Sequence, residues 1–338
     1  MRLLVLFSLL VLGVVAMVLL PVEDNIRING ASLVNPPREI TSEKMGEVKR
    51  INADWVALIP YAFSRDNEPN VSFDHSRQWW GEHTDGNCRL IQYAKDHGFK
   101  VMVKPHVWAR GAGWVGDFNL DTEDKWMIWE ADYTKYILNH AIKADSMGVE
   151  LFCIGTEYRI PARERPAFWR SLIKQVRGVY SGKITYASNW DNYQNITWWD
   201  QVDYIGIDAY FPLAEGIHPD LSEIRKGWDP IKQQLSLFSK KWGKPILFTE
   251  YGFQSANGAA GSHWEVDQSE SSANPQLQAD AYEATFEALE NEQWWVGGFF
   301  WKWHFNTLPG GRWRGTEWTP QNKPAEAVIA RWYGKKAN

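Results

Sequence analysis

Short apolar runs alternate with longer amphipathic stretches along most of this chain. The runs are rich in Val, Ile and Phe, and they are apolar at nearly every position. Such continuity is typical of parallel strands that are covered on both faces. Eight runs fit this description, at residues 26–34, 55–60, 100–106, 150–156, 183–188, 204–209, 245–249 and 296–301.

The stretches between the runs have the periodicity of helices. After the third run, Trp126, Trp129, Tyr133, Ile137 and Ala141 recur at steps of three and four residues and form one apolar stripe. Eight strands that are each followed by a helix predict an α/β fold, namely a single closed (β/α)8 TIM barrel. No Gly-x-Gly-x-x-Gly motif follows the first run, which argues against a dinucleotide-binding sheet.

The first residues form a separate hydrophobic segment. Residues 3–20 are apolar except for Ser8 and Gly13, and this length is at the threshold for spanning a bilayer. No small-x-small cleavage site follows, so we expect residues 1–22 to be an uncleaved signal anchor that binds the membrane, with a cleaved signal peptide as the alternative. Arg2 precedes the segment and acidic residues follow it, which favours export of the domain at residues 23–338.

The composition narrows the choice of ligand. The net charge of −5 is modest and no basic block occurs, so nucleic acid is not an expected partner. The content of 21 Trp is the unusual feature, because it exceeds what a core needs. Indole rings are flat and apolar with one polar edge, which suits a ligand with apolar faces and many hydroxyl groups. We expect about half of the Trp residues to serve packing alone.

Two glutamates come directly after apolar runs, Glu157 after the fourth and Glu250 after the seventh. The active site of a TIM barrel lies at the carboxyl ends of its strands. Each glutamate alone could be a rim residue paired with Arg159 or Lys302. Two carboxylates at one barrel mouth instead favour a catalytic pair, because glycosidic cleavage needs one carboxyl group protonated and the other ionised.

The other strand ends supply aromatic, amide and charged side chains that suit sugar hydroxyl groups and ring faces. His106 and His304 lack the spacing of a metal site, so we expect no metal, and no motif implies a cofactor. The polar segment 254–273 is either a mobile cleft loop or a solvated excursion. The candidate substrate-binding residues are Tyr61, Lys104, His106, Trp108, Asn189, Trp190, Asp208, Tyr210 and Trp301.

The sequence around these positions resembles glycoside hydrolase family 113 of clan A. The similar segments are 104–107 (Lys-Pro-His-Val), 154–157 (Ile-Gly-Thr-Glu), 207–210 (Ile-Asp-Ala-Tyr), 248–252 (Phe-Thr-Glu-Tyr-Gly) and the strand that contains Trp301. The resemblance extends over essentially the whole chain after the hydrophobic segment. Characterised members of that family are β-1,4-mannanases, so the resemblance implies an oligo- or polysaccharide substrate.

The resemblance also implies roles for individual residues. Clan A enzymes are retaining glycosidases, so Glu157 would be the acid/base and Glu250 the nucleophile of a double displacement. Tyr210 would lie near the nucleophile, and Trp301 would form the floor of the subsite for the cleaved sugar.

One position departs from the clan pattern. Many clan A families have Asn immediately before the acid/base, where its amide contacts the substrate 2-hydroxyl. This chain has Thr156 there, so the contact is either absent or made by another group such as Asn189.

The function that we favour from the sequence is therefore that of an endo-β-1,4-mannanase. The alternatives are another clan A β-glycanase, an exo-β-glycosidase, or a tethered glycan-binding protein without activity. The presence of both glutamates argues against the last of these. A metal-dependent barrel hydrolase would be distinguished by its sensitivity to chelators.

The hydrophobic segment generates a prediction about location. We expect cell fractionation to recover the protein with the membranes, and protease added outside the cell to reach the barrel. A soluble exported protein lacking residues 1 to about 20 would contradict the anchor alone, as expected of a cleaved signal peptide. Recovery in the cytosol would contradict export as well.

Overall fold

The computed structural model describes residues 27–111, 113–305 and 315–335. The signal anchor or signal peptide predicted for residues 1–22 lies outside this part of the chain. Within it, no helix is both long enough and apolar enough to cross a membrane.

The described residues form ten strands and eight α-helices. The strands are β1 (Ile28–Leu33), β2 (Trp55–Leu58), β3 (Tyr61–Arg65), β4 (Lys100–Val103), β5 (His106–Arg110), β6 (Leu151–Thr156), β7 (Lys183–Asn189), β8 (Tyr204–Asp208), β9 (Ile246–Tyr251) and β10 (Trp295–Trp303). The helices are α1 (Ser42–Gly46), α2 (Thr84–Asp96), α3 (Glu123–Ser146), α4 (Arg159–Glu164), α5 (Pro166–Arg177), α6 (Leu221–Trp242), α7 (Pro275–Leu289) and α8 (Pro324–Tyr333).

Eight of the strands close into a parallel barrel in the order β1-β10-β9-β8-β7-β6-β4-β2. Each of the eight predicted apolar runs overlaps one of these strands. The predicted (β/α)8 TIM barrel is therefore confirmed. The predicted stripe on α3 is confirmed too, because all five of its residues are buried.

Two of the predicted runs are not continuous barrel strands. In the run at 55–60 the barrel strand ends at Leu58, and in the run at 100–106 the barrel strand ends at Val103. Pro60 and Pro105 follow, and a proline has no N–H group to donate to the next rung of a sheet. Beyond the prolines, β3 and β5 leave the barrel and pair with each other in parallel, an element that we did not predict.

The core consists of two layers that hold the strand ends in place. Nine side chains fill the inside of the barrel, and a larger apolar layer lies between the barrel and its helices. The end of β6 shows how closely the layers fit. The Tyr133 hydroxyl of α3 donates to the Ile154 carbonyl at 3.0 Å, and a Cβ atom at Gly155 would lie only 2.7 Å from that hydroxyl. Glycine is required there, and the strand end before Glu157 is fixed as a result.

Candidate active site

A cavity of about 640 Å³ opens at the carboxyl ends of the barrel strands. Glu157 and Glu250 both lie in its wall, as the sequence predicts for a catalytic pair. Its lining combines aromatic rings with amide, carboxylate and imidazole groups. The lining residues are Tyr61, His106, Val107, Trp114, Val115, Thr156, Glu157, Asn189, Trp190, Asp191, Tyr210, Glu250, His263, Trp264, Trp301 and Trp318.

Three predicted substrate-binding residues do not line the cavity. Trp108 lies on β5, beyond the point where Pro105 ends the barrel strand, and its side chain is exposed. Lys104 and Asp208 are completely buried, so they cannot contact a substrate in the cavity. Lys104 and Asp208 therefore act from beneath the cavity, whereas Trp108 lies outside its wall and its predicted role in substrate binding stays a prediction.

Four aromatic residues of the cavity were missed by the sequence analysis. Trp114 lies in the loop after β5, and Trp318 comes late in the chain. His263 and Trp264 belong to the segment 254–273, and their presence in the cavity wall favours the cleft-loop interpretation of that segment. Loop residues of this kind do not directly follow a strand, so the positions of the strand ends do not predict them.

Glu250 is held by groups on both sides of its carboxylate. The Tyr210 hydroxyl donates to Oε2 at 2.7 Å, and the Lys104 ammonium donates to Oε1. The Nε2 atom of His106 lies 3.6 Å from the same Oε1. Hydrogen bonds from a hydroxyl and an ammonium favour the ionised form of a carboxylate. The two donors therefore hold the Glu250 carboxylate in one position.

Lys104 is a buried cation between two carboxylates. Its Nζ atom donates to both oxygens of Asp208, at 3.0 and 3.2 Å, as well as to Glu250. Thr249 completes the cluster by donating to Asp208 at 2.7 Å. Burial on its own lowers the pKa of Lys104, but the adjacent carboxylates outweigh burial and raise the pKa above its ordinary value. Lys104 therefore remains charged and stabilises the ionised nucleophile candidate.

His106 is neutral in this environment. Burial lowers its pKa well below the ordinary value, and the positive charge of Lys104 lowers it further. Its ring is parallel to that of Trp301, with centroids 6.4 Å apart. Its buried Nε2 has no hydrogen-bond partner among the described residues. A neutral imidazole with an unused ring nitrogen at the cavity wall is suited to a sugar hydroxyl.

Glu157 has an environment that favours its protonated form. It adopts a left-handed backbone conformation with φ of 54° directly after β6, which is uncommon outside glycine. Burial and then the charge of Glu250 raise its pKa to about 7, while a hydrogen bond of 2.7 Å from the Trp114 indole lowers it in part. Below that pH, Glu157 carries the proton that a general acid needs.

Neither glutamate forms the rim ion pair that was the alternative interpretation. Within the described part of the chain, Arg159 pairs with Asp117, and the Lys302 ammonium lies over the Trp301 ring at 5.1 Å from its centroid. The two carboxyl groups instead lie in one cavity and have different hydrogen-bond partners, an arrangement suited to acid/base cleavage of a glycoside. No group of three metal-ligating side chains occurs among the residues that the structure describes.

The chain is similar to known glycoside hydrolases in sequence and in fold. The sequence profile of Glycoside Hydrolase Family 113 matches residues 37–333. No curated protein matches the chain.

The solved structures that resemble the chain include β-mannanases. A β-1,4-mannanase of family 113 in a complex is 26% identical with a TM-score of 0.79, and the match covers 92% of this chain and 99% of that one. A β-mannanase of the same family from Alicyclobacillus acidocaldarius, in complex with ManMIm, is 25% identical with a TM-score of 0.78, covering 91% and 97%. A β-glucuronidase from Faecalibacterium prausnitzii, at 14% identity and a TM-score of 0.61, shares the fold.

The Trp114 hydrogen bond generates a prediction about pH dependence. Because the indole N–H stabilises the ionised form of Glu157, we expect Trp114→Phe to raise the pH at which kcat/KM declines on the basic side, by about half a pH unit or more. In the unmodified chain that decline should be centred near the pKa of about 7. Trp264→Phe is the control, because this residue lines the same cavity while the indole that donates to Glu157 belongs to Trp114. If the basic limb does not move in Trp114→Phe, the assignment of Glu157 as the general acid is wrong.

The buried cation generates a second prediction. Lys104→Met leaves two buried carboxylates without a counter-charge, so we expect a loss of about 3–5 kcal/mol in the free energy of unfolding. Activity should fall as well, because the Glu250 carboxylate loses the ammonium group that donates to it. The double variant Lys104→Met/Asp208→Asn removes one cation and one anion. It should therefore regain more of the free energy of unfolding than of the activity. Normal activity of Lys104→Met would contradict a supporting role for Lys104.

Proposed function

The chain belongs to glycoside hydrolase family 113 and is a glycosyl hydrolase, and we propose that it is an endo-acting β-1,4-mannanase that retains the anomeric configuration. The observation that carries the mechanism is the contrast between the two cavity carboxyl groups. Glu157 has a pKa raised to about 7, whereas Glu250 accepts hydrogen bonds from Lys104 and Tyr210. Glu157 can therefore donate a proton, and the two donors around Glu250 hold its carboxylate in position for attack.

This contrast assigns the two steps of a double displacement. In the first step the ionised Glu250 attacks the anomeric carbon, and the glycosidic C–O bond breaks as Glu157 gives its proton to the leaving oxygen. In the second step Glu157, now ionised, takes a proton from water as the water oxygen attacks the same carbon and releases Glu250. Tyr210 remains within hydrogen-bond distance of the nucleophile and orients it.

Endo action is supported by the position of the pair within the barrel mouth. Glu250 on β9 and Glu157 after β6 divide the strand ends into two arcs. The arc of β7 and β8 carries Trp190, whose ring is parallel to that of Trp264 with centroids 6.1 Å apart. The other arc carries Trp301 on β10. Aromatic surfaces thus extend to both sides of the bond that is cleaved, as a chain bound across the site requires.

β-Mannan is proposed as the substrate because the solved relatives at 25% and 26% identity are described as β-mannanases. For the 2-hydroxyl contact we propose Thr156 itself. Its Oγ1 is buried at the cavity wall and has no hydrogen-bond partner among the described residues, whereas the Asn189 amide already donates to Asp191 at 2.9 Å. We further propose that the protein is exported and held by residues 1–22, as the sequence predicts.

The roles of the two glutamates can be separated by alanine variants. Glu250→Ala should abolish turnover of every substrate, because no covalent intermediate can form. Glu157→Ala should lower kcat on the polymer by roughly 10²–10⁴-fold, but a dinitrophenyl glycoside should still give a burst, since its leaving group needs no proton. Azide should then rescue Glu157→Ala with retention and Glu250→Ala with inversion, as measured by NMR of the azide product. The reverse pair of configurations would exchange the two roles.

Glu164→Ala is the matched control for these variants. Glu164 lies on α4 with its side chain half exposed, so its loss should leave activity unchanged. The unmodified chain should release reducing ends from mannan and glucomannan, with a rapid fall in viscosity, and much less from xylan or mixed-linkage glucan. Activity confined to xylan or glucan would contradict the proposed sugar and retain the proposed mechanism.

A further inference from the structure

The paired strands β3 and β5 present one continuous face outside the barrel. Side chains two residues apart in a strand point to the same side, and the two strands pair in register. Ala62, Ser64 and Val107 are buried on the inner side, while the alternate residues are half-buried or exposed. We call this side the outer face of β3–β5. Its registered pairs are Tyr61 with His106, Phe63 with Trp108, and Arg65 with Arg110.

The outer face begins inside the cavity and leads away from it. Its first pair, Tyr61 and His106, belongs to the cavity wall. The last pair, four residues further along the strands, lies about 13 Å away at about 3.3 Å per residue. That span is the length of a short oligosaccharide rather than of one sugar ring. The face is therefore long enough to carry the part of a glycan that extends out of the cavity.

Trp108 is the aromatic surface in the middle of this path. Its side chain is 61% exposed, although an indole is among the most favourable groups to bury. Its neighbour across the strands, Phe63, is half-buried and contacts His75, with ring centroids 5.1 Å apart. The Trp108 ring is thus held on a rigid pair of strands and remains available for stacking against the apolar face of a sugar.

Two guanidinium groups lie at the far end. Arg65 and Arg110 are both exposed and directly opposite each other, and neither forms an ion pair within the described part of the chain. The nearby acids Asp66 and Glu68 are exposed and do not pair with them. Like charges directly opposite each other in a sheet are unfavourable. A bound anion would remove that repulsion, and guanidinium groups bind carboxylates in a bidentate manner.

We propose that the outer face of β3–β5 is an extended subsite for a glycan whose distal sugar carries a carboxylate, that is, a uronic acid. Trp108 stacks on the intervening sugar, and Arg65 and Arg110 bind the carboxylate. The path belongs to the glycone side, because it starts at His106, which is 3.6 Å from the nucleophile candidate Glu250. This inference rests on the proposed function and extends it from neutral β-mannan to acidic mannan-type chains.

The test compares two forms of one substrate on the purified full chain. A β-1,4-linked manno-oligosaccharide with a uronic acid at its non-reducing end is assayed beside the same molecule after reduction of its carboxylate to an alcohol. We expect kcat/KM to be about tenfold higher for the acidic form, through charge-assisted hydrogen bonds, and the preference to decrease with salt. Arg65→Gln with Arg110→Gln should remove the preference. Trp108→Ala should lower kcat/KM about tenfold for both forms.

A control variant has the same change in charge at a different place. Lys174→Gln with Lys226→Gln removes two exposed cations from α5 and α6 on the outside of the barrel and should keep the preference. Equal activity on both forms, or a preference that survives in the arginine variant, would overturn the subsite while β-mannan hydrolysis continued. A chain that hydrolyses no β-mannan at all would overturn the proposed function and the subsite together.

Discussion

Lys104 lies between the carboxylates of Asp208 and Glu250 with no exposed surface, and the arrangement of three strand ends depends on it. Two carboxylates in a dry interior repel each other, and one cation between them makes their burial tolerable. The cluster joins β4, β8 and β9, where Asp208 and Glu250 are also direct partners across the sheet. A charge network of this kind is more useful for holding the nucleophile candidate in one position than for stabilising the fold, since a buried ion pair is a weak source of stability.

The same network places the two glutamates of the cavity in different environments. Glu250 contacts the cation directly, whereas Glu157 receives only a neutral indole N–H and is affected by the charge of Glu250. The barrel supplies this asymmetry through different elements. Lys104 directly follows barrel strand β4, and Trp114 comes from a loop after β5. The strand ends therefore position the nucleophile candidate Glu250, while a loop residue lowers the pKa of the acid/base candidate Glu157 in part.

Two prolines change the shape of the barrel mouth. Pro60 and Pro105 end β2 and β4 as barrel strands, and the chain then continues as β3 and β5 above the rim. Because these strands pair with each other outside the barrel, their outer face starts at the catalytic cavity and continues away from it. Because β2 and β4 end at these prolines, the rim of the barrel is extended on one side by β3 and β5. Trp108, Arg65 and Arg110 lie on this extension.

The sequence by itself determined the barrel, its eight strands and the positions of Glu157 and Glu250, because continuous apolar runs and the residues directly after them are local features of the chain. Most candidates taken from strand ends, such as Tyr210 and Trp301, also line the cavity. Only the tertiary structure decided which strand-end residues lie beneath the cavity, as Lys104 does, and which loop residues enter it, as Trp114 and Trp264 do. Depth at a strand end depends on the packing of neighbouring strands, and the path of a loop depends on contacts distant in sequence. Neither can be predicted from the periodicity and spacing of residues in the sequence.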